Sequence, residues 1–78
     1  PEVVLFPNPT IGNSYLHFDR PLSNIELSIV NTYGQEFYKE NFKTSQNIEL
    51  YTSEMDANVY FINIRTLEFF TVLKLIKH

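Results

Sequence analysis

The feature that most constrains this chain is the spacing of its apolar residues. Helical periodicity is absent over any long window, while β-branched and aromatic residues recur in short blocks separated by Asn, Gly, Ser and Pro. In Ile25-Glu26-Leu27-Ser28-Ile29 the three apolar side chains fall on one side and Glu26 and Ser28 on the other, because successive strand side chains alternate. Asn31-Thr32-Tyr33-Gly34 then supplies an Asn and a Gly, which tolerate turn geometries that branched residues resist. With the following Gln35-Glu36-Phe37-Tyr38-Lys39 it predicts a β-hairpin. A polar stretch from Lys43 to Asn47 leads into a short strand at Ile48-Glu49-Leu50, and Ser53 to Asn58 predicts an irregular connection. Val59 to Arg65 places Tyr60, Ile62 and Ile64 on the expected core face, with Val59 and Phe61 joining Asn63 and Arg65 on the other.

At the front, Ser14 to Phe18 predicts a strand with Leu16 and Phe18 inward, preceded by Val3-Val4-Leu5-Phe6 and by Pro7-Asn8-Pro9-Thr10-Ile11-Gly12. The two prolines remove backbone donors and fix φ, so this segment is expected to be a rigid turn at a sheet edge. The last block, Phe69 to Lys77, is apolar on both faces except at Lys74 and Lys77. Such a strand is either covered from both sides or exposes a sticky surface, with aggregation or strand exchange into a dimer as the associated risk. Counting blocks gives about seven short strands with frequent turns, the pattern of an all-β fold: a small Ig-like β-sandwich with Greek-key connections.

With 78 residues the chain has room for one domain, spanning 1–78. A domain this small buries only about 60% of the surface its unfolded form exposes, so every apolar strand face matters. The absence of Cys excludes a disulfide framework and a thiolate metal site. The formal net charge is −3 and the basic residues are scattered singly, which argues against the concentrated basic face a nucleic-acid binder uses. No apolar run approaches the roughly 20 residues of a transmembrane helix, and no basic segment followed by an apolar one opens the chain as an export signal. The opening Pro1-Glu2-Val3, without Met, suggests a piece of a longer secreted polypeptide.

Catalytic and metal-binding patterns are missing. His17 lies mid-strand and His78 ends the sequence, neither with clustered ligands or a positioned partner, so no metal, cofactor or general-base role is expected. Asp19, Glu54 and Asp56 do not form a dense acidic loop with a closing Glu and are expected to be solvated. No nucleophile elbow is present, and Asn8-Pro9-Thr10 fails as a glycosylation acceptor because its middle residue is Pro. The chain is expected not to be an enzyme.

Four stretches carry a resemblance to a known family. Phe6-Pro7-Asn8-Pro9-Thr10-Ile11-Gly12 is similar to an aromatic-Pro-Asn-Pro-x-x-Gly opening, and Ile29-Val30-Asn31-Thr32-Tyr33-Gly34-Gln35 to a strand, polar turn and Gly-Gln/Arg. Val59-Tyr60-Phe61-Ile62 is similar to a Gly-Val-Tyr block, and Lys74-Leu75-Ile76-Lys77 to a basic-apolar ending. In this order the chain resembles the type A C-terminal sorting domain of type IX secretion cargo in Bacteroidetes. It departs at Asn58, where the family has Gly; Asn is the residue next most willing to adopt the left-handed conformation, so the same turn is expected there.

The resemblance implies an address. The domain would direct a covalently attached upstream cargo, via the periplasm, across the outer membrane to the medium or cell surface. Its partners would be the outer-membrane secretion machinery and a sortase-like peptidase that removes the domain. The positions expected to serve recognition are Pro7, Asn8, Pro9, Gly12, Gly34, Tyr60, Lys74, Leu75, Ile76 and Lys77. Lys74 to Lys77 can be read through side-chain pockets or by strand addition, or its lysines can guard an edge against self-association. The alternative is a carbohydrate-binding or structural Ig-like accessory module. It draws on the seven Phe and five Tyr, with Tyr33, Tyr38, Tyr51 and Phe61 as a possible sugar-facing row and ordinary packing as the competing use of those rings.

Overall fold

A computed structural model describes residues 2–78. It is all-β, with five strands: β1 (Val3–Phe6), β2 (Ser14–Asn31), β3 (Glu36–Leu50), β4 (Asn58–Arg65) and β5 (Phe70–Lys77). They form one antiparallel sheet in the order β1-β2-β4-β5, with β3 on the other side of β2. The expected seven short strands are therefore five. The block at 14–18 runs on into the block at 25–29 as β2, and the hairpin's second strand continues through the polar stretch 43–47 to Ile48 and Leu50 as β3. Lys43 to Asn47 stays extended because its backbone pairs with β2, a demand that its polar side chains do not resist.

The two long strands are bent. β2 has 18 residues, and at about 3.3 Å per residue it would run roughly 55 Å if straight. The longest extent of the whole molecule is 31 Å and the shortest 16 Å, so the β2–β3 hairpin must double back and the sheet curls over its own core. The bend has a local cause. Pro21 has no N–H to give the ladder, and Phe18 to Pro21 of β2 face only Gln46 of β3. The Gln46 side chain covers part of the gap by donating to the Phe18 carbonyl at 3.2 Å.

Beyond the bend, Asn24 sits at φ 56°. There the inward positions change from even-numbered Leu16, Phe18 and Leu22 to odd-numbered Ile25, Leu27 and Ile29. These six, with Ile48, Leu50, Tyr60, Ile62, Ile64 and Leu75, make a single buried cluster. The inward faces expected for the 14–18, 25–29 and 59–65 blocks are the ones observed.

The β2–β3 turn is built as its residues predict. Gly34 takes φ 82° and donates to the Asn31 carbonyl, while Asn31 Oδ1 accepts from the N–H groups of Tyr33 and Gln35 at 2.9 Å each. Asn58 does not take the left-handed conformation expected of it. Among the described residues the only non-glycine with positive φ is Asn24, and Asn58 Oδ1 accepts instead from Val59 N–H at 2.8 Å. Asn58 opens β4 opposite Lys77, where extended backbone is what the pairing requires. β5 is covered on one face only, with Leu75 buried while Phe70 and Val72 stand exposed on the other. Among the described residues no helix is long and apolar enough to cross a membrane.

Candidate recognition site at the terminal strand

The Pro7–Gly12 segment and β5 are distant in sequence and adjacent in space. β5 pairs with β4 along one edge. On its other edge Thr10 forms a parallel bridge with Lys77: Thr10 N–H donates to the Ile76 carbonyl at 2.9 Å and His78 N–H donates to the Thr10 carbonyl at 2.8 Å. Asn8 continues this contact with its side chain, donating from Nδ2 to the Lys74 carbonyl at 2.7 Å and accepting at Oδ1 from Ile76 N–H at 2.9 Å. Strand addition along Lys74–Lys77 would have to displace these contacts.

The turn that delivers Asn8 is held by hydroxyl groups. The buried Ser14 donates to the Pro7 carbonyl at 2.9 Å, and the buried Thr52 donates to the Gly12 carbonyl at 2.6 Å. Thr10 Oγ1 accepts from Gly12 N–H at 3.1 Å and lies 3.2 Å from the carbonyls of Gly12 and Asn13. Local side-chain bonds of this kind let Ser and Thr stabilise a turn that lacks ladder partners. The Phe6–Pro7 and Asn8–Pro9 peptide bonds are both cis. Gly12 has no positive φ, and a Cβ on it would meet nothing within 4 Å.

The remaining expected positions divide by accessibility. Lys74 is exposed and Ile76 half-buried, and both lie on the face of β5 away from the core. Leu75 is fully buried and Lys77 nearly so, its Nζ donating to the His78 carbonyl at 3.1 Å. Tyr60 is buried opposite Leu75, with its hydroxyl donating to the Asp56 carbonyl at 2.8 Å. Burial, and then the neighbouring Asp56 charge, raise the Tyr60 phenol above its ordinary pKa, so it remains a donor. Gly34 belongs to the same end of the sheet, since Asn31 of its turn is in register with Tyr60, and Tyr60 with Leu75. Direct contact with a partner is thus open to Pro7, Asn8, Pro9, Lys74 and Ile76, while Tyr60, Leu75 and Lys77 act in this conformation through packing.

Sequence reasoning missed Thr10, Ser14 and Thr52, which are buried yet carry the turn. The available signal was a Thr two residues before Gly in a segment poor in backbone donors. The four rings considered for a sugar-facing row are scattered. Tyr33 is at the tip of the β2–β3 turn and Tyr38 packs against the core. Tyr51 lies beyond β3, and Phe61 lies on the outer face of β4. His17 pairs with Asn47 at 2.6 Å, and among the described residues no three His, Cys, Asp or Glu side chains are grouped to hold a metal ion.

No curated protein matches the chain. A family does: the secretion system C-terminal sorting domain matches residues 4–78, from β1 through the Asn8 contact to the end of β5. On a match of that extent the chain belongs to the secretion system C-terminal sorting domains, the sorting signals of type IX secretion that mark a cargo for the outside of the cell.

Proposed function

We propose that this domain is a non-catalytic address in one piece, residues 1–78 of a larger protein, that takes its cargo through the periplasm and across the outer membrane. A sortase-like peptidase then removes it. The observation that carries this reading is the meeting of the family's opening and closing motifs at Asn8, Thr10 and Lys74–His78, where Pro7, Asn8, Pro9 and Lys74 are exposed side by side. A signal read by a protein partner needs a fixed, accessible surface, and a braced turn against a paired strand is one that loses little entropy on binding.

The finer fold reading belongs with it. The curled sheet is proposed to be an Ig-like sandwich in which the bends of β2 and β3 divide five strands into about seven pairing segments. The support is that both halves of β2, on either side of Asn24, feed the same core. Exchange of β5 between isolated copies is likewise proposed, since a partner's strand would make the contacts with β4 and Thr10 that β5 makes here.

The test fuses residues 1–78 to an exported fluorescent protein in a host with type IX secretion. It is compared with a fusion lacking Lys74–His78 and with one carrying Lys74→Glu, an exposed change that leaves the core intact. The intact fusion is expected at the surface or in the medium and the truncated one in the periplasm. Retention of the intact fusion in the periplasm, with its domain folded and protease-resistant, overturns the proposal.

A further inference from the structure

The Asn8 side chain occupies a particular position in the hydrogen-bond ladder. A strand edge presents the N–H and C=O of alternate residues, and on β5 those at Lys74, Ile76 and His78 point away from β4. Thr10 satisfies the Ile76 carbonyl and the His78 N–H with its own backbone, as a residue in a parallel strand does. Had that strand continued backwards by two residues, the N–H of residue 8 would donate to the Lys74 carbonyl and the C=O of residue 8 would accept from Ile76 N–H. Both bonds are present, and both are made by the Asn8 carboxamide: Nδ2 to Lys74 at 2.7 Å and Oδ1 from Ile76 at 2.9 Å. A carboxamide has the donor and acceptor of a peptide group. Here it stands in for the peptide group that the backbone, bracketed by Pro7 and Pro9, does not bring to the edge.

From this we infer that Asn8 is a positioning residue for the terminal strand, and that the secretion machinery reads the Pro-Asn-Pro turn and Lys74–His78 as one composite surface. The inference rests on the sorting reading above and goes beyond it. Neither motif would suffice alone, because without the carboxamide the Lys74 carbonyl and the Ile76 N–H are left to water and the outward side chains of Lys74 and Ile76 lose part of their fixed setting. The side-chain requirement is strict. Ala removes donor and acceptor, and Asp keeps the shape and the acceptor but turns a carboxylate oxygen toward the Lys74 carbonyl. Gln carries the right groups one methylene too far out.

The experiment uses the full fusion with Asn8→Ala, Asn8→Asp and, as an exposed change at the opposite end of the sheet, Lys43→Ala. Two quantities are read: hydrogen exchange at the Ile76 amide and the fraction of cargo exported. Asn8→Ala is expected to speed Ile76 exchange at least tenfold with little change in melting temperature, and to cut export at least tenfold with Lys74–His78 all present. Asn8→Asp is expected to lose export as well, and Lys43→Ala to lose neither. Fast exchange at Ile76 with wild-type export overturns the composite reading. Lost export with Ile76 exchange unchanged overturns the positioning role of Asn8, since the machinery would then depend on its side chain directly. Failure of the unmodified fusion to be exported would instead sink the sorting reading itself, so the two failures are distinguishable.

Discussion

At the scale of single residues, backbone conformation separates the two glycines of this chain. Gly34 sits at φ 82° and Gly12 at no positive φ, and an added Cβ finds open space at either one. Gly34→Ala is therefore expected to destabilise by about 1–2 kcal/mol through backbone strain alone, and Gly12→Ala to stay within about 0.5 kcal/mol. Urea midpoints at constant slope would check both. Tyr38 gives a pH signature. Burial, assisted by its hydroxyl's bond to Glu40, pushes its pKa up to about 12 from an ordinary 10. The folded state thus keeps a proton that the unfolded chain gives up, so this contribution is whole below pH 10 and is lost as pH rises from 10 towards 12. The urea midpoint is expected to fall between pH 10 and 12, and Tyr38→Phe to flatten that fall. The sequence disclosed the role of Gly34, because its turn partners are close neighbours. It did not disclose that of Asn8, whose partners lie 66 and 68 residues away.

At the scale of elements, β5 combines two unlike halves. Its C-terminal half is occupied on both edges, by β4 and by Asn8 and Thr10, and buries Leu75 completely. Its N-terminal half exposes Phe70 and Val72, with Arg65 lying 4.8 Å over the Phe70 ring. Val72→Lys places a charge on that apolar edge and is expected to raise the concentration at which isolated copies associate in light scattering. Ile62→Ala, at a fully buried position of β4, is expected to cost about 2–5 kcal/mol in urea unfolding. That is a large share of the about 5–15 kcal/mol that holds an ordinary domain together. The inward faces at Leu16, Ile25 and Ile62 were legible from alternation, since they are decided locally; that of β5 was not, because its sequence is apolar on both sides. Nor was the number of strands. Polar residues such as Lys43 and Asn47 look like a turn in sequence, and only their pairing with β2 keeps them extended.

At the scale of the whole molecule, the bend at Pro21 and the phase change at Asn24 turn one long hairpin into a wrapping for the core. The exposed ion pair between Arg20 and Glu68, 3.1 Å apart, spans the surface near this bend without holding it. Arg20→Ala is expected to move stability by less than about 1 kcal/mol, measured by thermal unfolding. The composite edge of Asn8, Thr10 and β5 imposes a condition in time as well as in space. Its two hydrogen-bonding partners enclose almost the entire sequence, so a chain interrupted anywhere between them cannot assemble the edge. Contacts of such long sequence separation also form late in folding. If the edge is read as the composite surface proposed above, it is readable only on a domain that has been synthesised through and has folded, and the same pair of hydrogen bonds then serves as a check on completeness before the cargo is committed to export.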